Sequence, residues 1–165
     1  VLVSSARAAE VIEIGNLRFD APAKFERQRP RSEIIAHEFT VPAAKGDDQG
    51  GRMTVMEAGG TVDQNIERWY AQFTQPDGSP TKDVARLEEK KLGGRLVHFV
   101  DISGTYDDKP APFAPGVKRD NYRMLGAIIE TARGNIYFKF YGPQKTLAEH
   151  AEQFRTMIVK GLDKS

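Results

Sequence analysis

The chain has 165 residues, 39% hydrophobic and 28% charged, with 24 basic against 23 acidic side chains for a net charge of +1. That size and composition fit one globular domain able to bury roughly 68–70% of its unfolded surface without help from a metal or disulfide. The charge balance gives no electrostatic case for nucleic acid, and the absence of cysteine removes disulfides, thiolate catalysis and zinc–thiolate sites.

At the N-terminus, Val1-Leu2-Val3 runs into Ser4-Ser5-Ala6-Arg7-Ala8-Ala9. This reads as the end of an apolar export signal followed by an Ala-x-Ala cleavage site at Ala6 and Ala8. Residues 1–8 are therefore expected to be a signal-peptide remnant and 9–165 a single domain, periplasmic or extracellular. No apolar stretch reaches the roughly 20 residues that span a bilayer, so the exported chain is expected to be soluble.

Short strands fill the first third. Leu17–Phe19 and Lys24–Gln28 are split by Pro22, and Glu33–Val41 places Ile35, His37, Phe39 and Val41 on one face. Arg27, Arg29 and Arg31, interrupted by Pro30, suit a solvated strand edge. A Gly- and Asp-rich connection over 43–51, expected to be exposed, leads to a partner strand over Arg52–Ala58.

Thr61 and Gln64 have capping-box spacing, and Val62, Ile66, Trp69, Tyr70 and Phe73 form one apolar helical stripe. The cluster Gln75-Pro76-Asp77-Gly78-Ser79-Pro80 stops that helix. Val84–Leu92 and Arg95–Ser103 form a hairpin about Gly93-Gly94, and Tyr122–Thr131 and Asn135–Tyr141 form another about Arg133-Gly134. Leu125–Ile129 and Ile136–Tyr141 are apolar at consecutive positions, so both faces of the sheet centre should be covered. Thr146 and Glu149 repeat the capping-box spacing, with Leu147, Ala151, Phe154, Ile158 and Leu162 on one face. The expected fold is α+β, a central antiparallel sheet sandwiched between two amphipathic helices.

The run Arg123-Met124-Leu125-Gly126-Ala127-Ile128-Ile129, a Gly-Asn turn, Asn135-Ile136-Tyr137-Phe138 and a last helix bearing Phe154 resemble the end of the PsbP-like family. These are extrinsic proteins of photosystem II and their exported bacterial relatives. The resemblance covers mainly 120–165; upstream it extends only to the order of elements. It implies an exported accessory or binding protein without catalysis, and no functional residue carries over from it.

Local motifs for chemistry are missing. His37, His98 and His150 show no zinc spacing, and His98 and Asp101, three apart on a strand, point to opposite faces. His37 is expected to be a hydrogen-bonded structural histidine and His150 to lie on the polar side of the last helix. No nucleophile elbow, P-loop or dinucleotide fingerprint occurs. Asp47-Asp48 and Asp107-Asp108 read as solvated loop pairs. No catalytic residue, metal ligand or cofactor is assigned.

The segment Asp107–Asp120, read as a loop, holds Pro110, Pro112, Phe113 and Pro115. Connections of that length are often functional. Phe113 either folds back as a plug or stands out as a contact anchor, with Tyr106, Arg119, Tyr122 and Arg123 at the loop's roots. The leading expectation is a non-enzymatic envelope protein that engages a protein or small ligand through this segment. The alternative is a hydrolase or transferase with a site assembled across strands near His98, Asp101 and Arg123.

Overall fold

The computed structural model describes residues 8–111 and 113–163; positions 1–7 of the leader remnant read at 1–8, and Pro112, lie outside the described residues. The order is β1 (Val11–Ile14), β2 (Leu17–Asp20), β3 (Glu26–Gln28), β4 (His37–Val41), β5 (Gly51–Ala58), α1 (Val62–Tyr70), β6 (Phe73–Thr74), α2 (Thr81–Val84), β7 (Arg86–Leu92), β8 (Arg95–Asp108), β9 (Val117–Thr131), β10 (Gly134–Pro143) and α3 (Gln144–Asp163). The fold is α+β. Strands β3-β4-β5-β10-β9-β8 lie side by side, with β6 and β7 both pairing along the outer edge of β8. Every pair is antiparallel.

Consecutive apolar residues in β9 and β10 are explained by two cores. On one face Phe138, Phe140, Ala127 and Ile129 meet Leu147, Phe154, Ile158 and Leu162 of α3, together with the separate β1–β2 hairpin. On the other, Ile128, Met124, Tyr137 and Tyr141 meet Ile66 and Trp69 of α1. Each fully buried aliphatic or aromatic side chain contributes about 1.5–3 kcal/mol, so neither helix needs a high intrinsic propensity to stay docked.

The turn chemistry agrees with the sequence in several places. Thr61 and Gln64 form the reciprocal capping box of α1, and Gly93 and Gly94 both adopt positive φ between β7 and β8. Other expectations need correction. β1 was missed; it pairs with β2 across Gly15 (φ 58°) and Asn16. The strand expected over Glu33–Val41 begins only at His37, and Ile34 is exposed. The strand expected from Val84 begins at Arg86, because Thr81 donates its hydroxyl to Phe73 O and pins one helical turn after Pro80. Phe73 belongs to β6 rather than to α1, which ends at Tyr70.

No capping box forms at Thr146. Helix α3 starts at Gln144, so Thr146 sits inside its first turn, fully buried, and bonds to Asp47 of the β4–β5 connection. That connection is therefore pinned to α3, with Ala44 buried, rather than lying free in solvent. His150 is also buried, edge-on to the ring of Phe25, because the apolar stripe of α3 is wider than the sequence pattern implied.

Candidate functional site

Strands β8 and β9 outrun the rest of the sheet and form a two-stranded arm. The pairs Tyr106↔Arg119, Asp107↔Lys118 and Asp108↔Val117 are still in the ladder, so the connection expected over 107–120 shrinks to 109–116. Ion pairs brace the arm: Asp107 with Lys109 and Lys118, each at 3.5 Å, and Asp108 with Arg119 at 3.3 Å. Phe113 stands at its tip, 102% exposed, and plugs nothing.

A β-bulge separates the arm from the sheet. Between Gly104↔Tyr122 and Tyr106↔Arg119, β8 supplies one residue and β9 supplies two, Asp120 and Asn121. Asn121 takes φ 53°, a left-handed conformation that Asn tolerates better than most residues. Because strand side chains alternate, the extra residue reverses parity beyond it. It brings Arg119, instead of Asp120, onto the face of Tyr106 and Tyr122.

On that face the aromatic rings cluster. Tyr106 stacks on Tyr122 at 6.0 Å and 7°, and lies 4.9 Å from Tyr141 and 5.1 Å from Phe73. Burial pushes the Tyr106 phenol well above its ordinary range, so it stays protonated. Lys139, one position from two core phenylalanines, emerges among these rings. Its Nζ donates to Gln72 Oε1 at 2.6 Å and to Tyr106 Oη at 3.2 Å, and lies 5.0 Å from the Tyr141 ring centre. Burial pushes the Lys139 amine down to about 7, helped by repulsion from Arg52 and opposed by Asp108.

Beyond Tyr141, the side chain of Arg52 donates to Glu38 at 2.7 Å and to the Tyr141 hydroxyl at 2.7 Å. Glu38 is 1% exposed and also accepts from the backbone N–H of Arg31 at 3.0 Å, while the Arg31 guanidinium lies 3.2 Å away. Arg31, Arg52 and Tyr141, with Gln49, Asp108, Tyr122 and adjoining backbone, line a cleft of about 390 Å³. Tyr122 donates its hydroxyl to Gln49 at 3.0 Å, which ties the β4–β5 connection to the arm's root. A larger groove of about 800 Å³ runs between β2 and α3. Its charged lining residues Arg18, Asp20, Glu152 and Lys160 are exposed, and the buried convergent groups of the smaller cleft have no counterpart there.

Of the five residues singled out in the sequence, Tyr106, Arg119 and Tyr122 come together here, and Phe113 lies apart in the 109–116 connection. Arg123 does not join them; it faces α3 and makes a bidentate pair with Asp101 at 2.9 and 2.8 Å. His98 lies on the α1 face between Glu89 (3.4 Å) and Glu130 (2.8 Å), so it does not meet Asp101 or Arg123. His37 donates from Nε2 to Glu13 O at 2.7 Å, and its Nδ1 faces Arg27 at 2.8 Å, a structural histidine as expected. Among the described residues no group of three or more His, Asp or Glu side chains is placed to hold a metal ion. Sequence reasoning missed Lys139, Arg52, Glu38 and Tyr141. One signal was available: Tyr137, Lys139 and Tyr141 alternate along a strand whose other face is Ile136, Phe138 and Phe140.

No family model and no curated protein sequence matches the chain. Among solved structures, it is similar to a Pseudomonas aeruginosa protein of unknown function, suggested to be a regulator. The two share 10% identity at a TM-score of 0.51, over 92% of this chain and 94% of that one. At that identity the likeness is one of fold alone.

Proposed function

We propose that this domain is an exported, non-catalytic binding or accessory protein of the cell envelope, and that its contact element is the β8–β9 arm. The observation that carries the reading is Phe113, fully exposed in the connection that closes a ladder cross-braced by Asp107–Lys118 and Asp108–Arg119. A large, fully exposed apolar ring at the end of a braced arm offers a partner area to bury and an anchor to fill a pocket. The Ala-x-Ala pattern at Ala6 and Ala8 supports export. The order of strands and helices, with one helix on each sheet face, supports a PsbP-like accessory domain. Separation of His98 from Asp101 and Arg123 across the sheet weighs against the hydrolase or transferase reading. In cells, a photo-crosslinking residue at position 113 should yield a discrete adduct with an envelope protein, and one at exposed Lys82 should not. Phe113→Ala should leave Tm within about 1 °C of the parent, since exposed positions contribute little to stability. Adducts at both positions, or at neither, would defeat the proposal.

A further inference from the structure

We propose that the cleft beside the arm's root binds a small organic monocarboxylate with a planar or apolar body. Charge is the first reason. One buried carboxylate, Glu38, faces two guanidiniums, Arg52 at 2.7 Å and Arg31 at 3.2 Å. Asp108 on the rim is matched by Arg119 at 3.3 Å. Among the charged side chains that line the cleft, the two arginines outnumber Asp108 by one.

Geometry is the second. The Arg52 side chain is 19% exposed and fixed by Glu38 and the Tyr141 hydroxyl, whereas that of Arg31 is 65% exposed at the mouth. A fixed guanidinium beside an accessible one suits the paired oxygens of a carboxylate. Tyr122 and Tyr141 supply flat walls, and Tyr122 is held by Gln49, so the wall is formed before any ligand arrives. The volume of about 390 Å³ falls within the range of small-molecule sites.

A dianion fits less well. Asp108 lines the site and Glu38 already occupies both arginines from behind, so a second negative charge would meet these carboxylates without a further cation among the lining residues. The inference does not depend on the arm-tip contact, because Phe113 is not among the residues that line the cleft.

Benzoate is a suitable probe, titrated into the full chain and followed by amide NMR shifts. It should shift the Gly50, Gly51 and Gly142 signals saturably, while its neutral analogue benzamide and inorganic phosphate should not. Arg31→Ala removes the exposed guanidinium and should weaken benzoate at least tenfold; Arg31→Lys, which keeps charge without the fork, should fall between. Phe113→Ala should leave benzoate affinity within twofold, so failure here and failure of the arm-tip contact are told apart. No saturable shift, equal binding of benzamide or phosphate, or an unchanged Arg31→Ala variant would overturn the assignment.

Discussion

Asp47 and Thr146, 99 positions apart, are joined through one carboxylate oxygen. Asp47 Oδ2 accepts the Thr146 backbone N–H at 3.1 Å and its hydroxyl at 2.7 Å. A loop residue thus does for α3 what a local cap does for α1, placing negative charge against the unpaired N–H groups of the first turn. The same contact holds the β4–β5 connection, which carries Gln49 to Tyr122. Asp47→Ala should therefore cost about 1–3 kcal/mol, the range for losing hydrogen bonds to a charged acceptor. Urea unfolding measures this, and the Thr146 amide should exchange faster. A variant as stable as the parent would mean that the connection is held by other contacts.

Glu38 offers a pH-dependent test. Burial opposes its ionisation, but hydrogen bonds from Arg52 and the Arg31 backbone, with both guanidinium charges, outweigh that and lower its pKa below the ordinary 4.5. A carboxyl with a depressed folded-state pKa stabilises the fold above its unfolded value, and that stability is lost as pH falls below it. Glu38→Gln strands Arg52 and should cost about 3 kcal/mol at neutral pH. The gap between parent and variant should narrow below pH 4.5. A gap unchanged between pH 7 and pH 3 would show that Glu38 acts through shape alone.

For Lys139 the sign is opposite. With its amine at about 7 in the fold against an ordinary 10.5, the unfolded chain binds the extra proton between those values. Its burial penalty is full below pH 7 and fades as pH rises towards 10.5. In the protein with ¹³C-methylated lysines, one resonance should titrate near 7 and disappear in Lys139→Met. Titration of every lysine resonance above 9 would remove the buried amine from the tyrosine cluster.

Gly126 lies under the indole of Trp69. A Cβ placed there would stand 2.4 Å from a ring carbon. Gly126→Ala must push α1 off the sheet, and overpacking of this kind costs about 1–3 kcal/mol. Trp69 is the sole tryptophan, so its emission reports the shift directly. Unchanged fluorescence and stability would show that α1 accommodates the methyl by sliding.

The features legible in the sequence depend on neighbours within a turn or along one strand. Thr61 and Gln64 cap α1 because three residues of spacing suffice, and Gly93-Gly94 closes its hairpin because glycine alone accepts both positive φ values without strain. Alternation correctly separates His98 from Asp101, and the position of Tyr106 and Tyr122 at the roots of one connection puts them close together. Alternation also sets Lys139 and Tyr141 on one face of β10.

What the tertiary structure alone decided depends on register between distant segments. One extra residue at Asn121 moves Arg119 onto the tyrosine face, and the strand's alternating pattern gives no warning of it. Arg123, counted with the arm, turns to Asp101 on the other face. Thr146 finds Asp47, His150 finds Phe25, and Glu38 draws in Arg31 and Arg52, each across a separation in which many pairings are sterically possible. Buried polar groups must find partners, since leaving one unmatched costs more than the bond returns. That requirement determines how many contacts form; the packing of the two cores determines which ones.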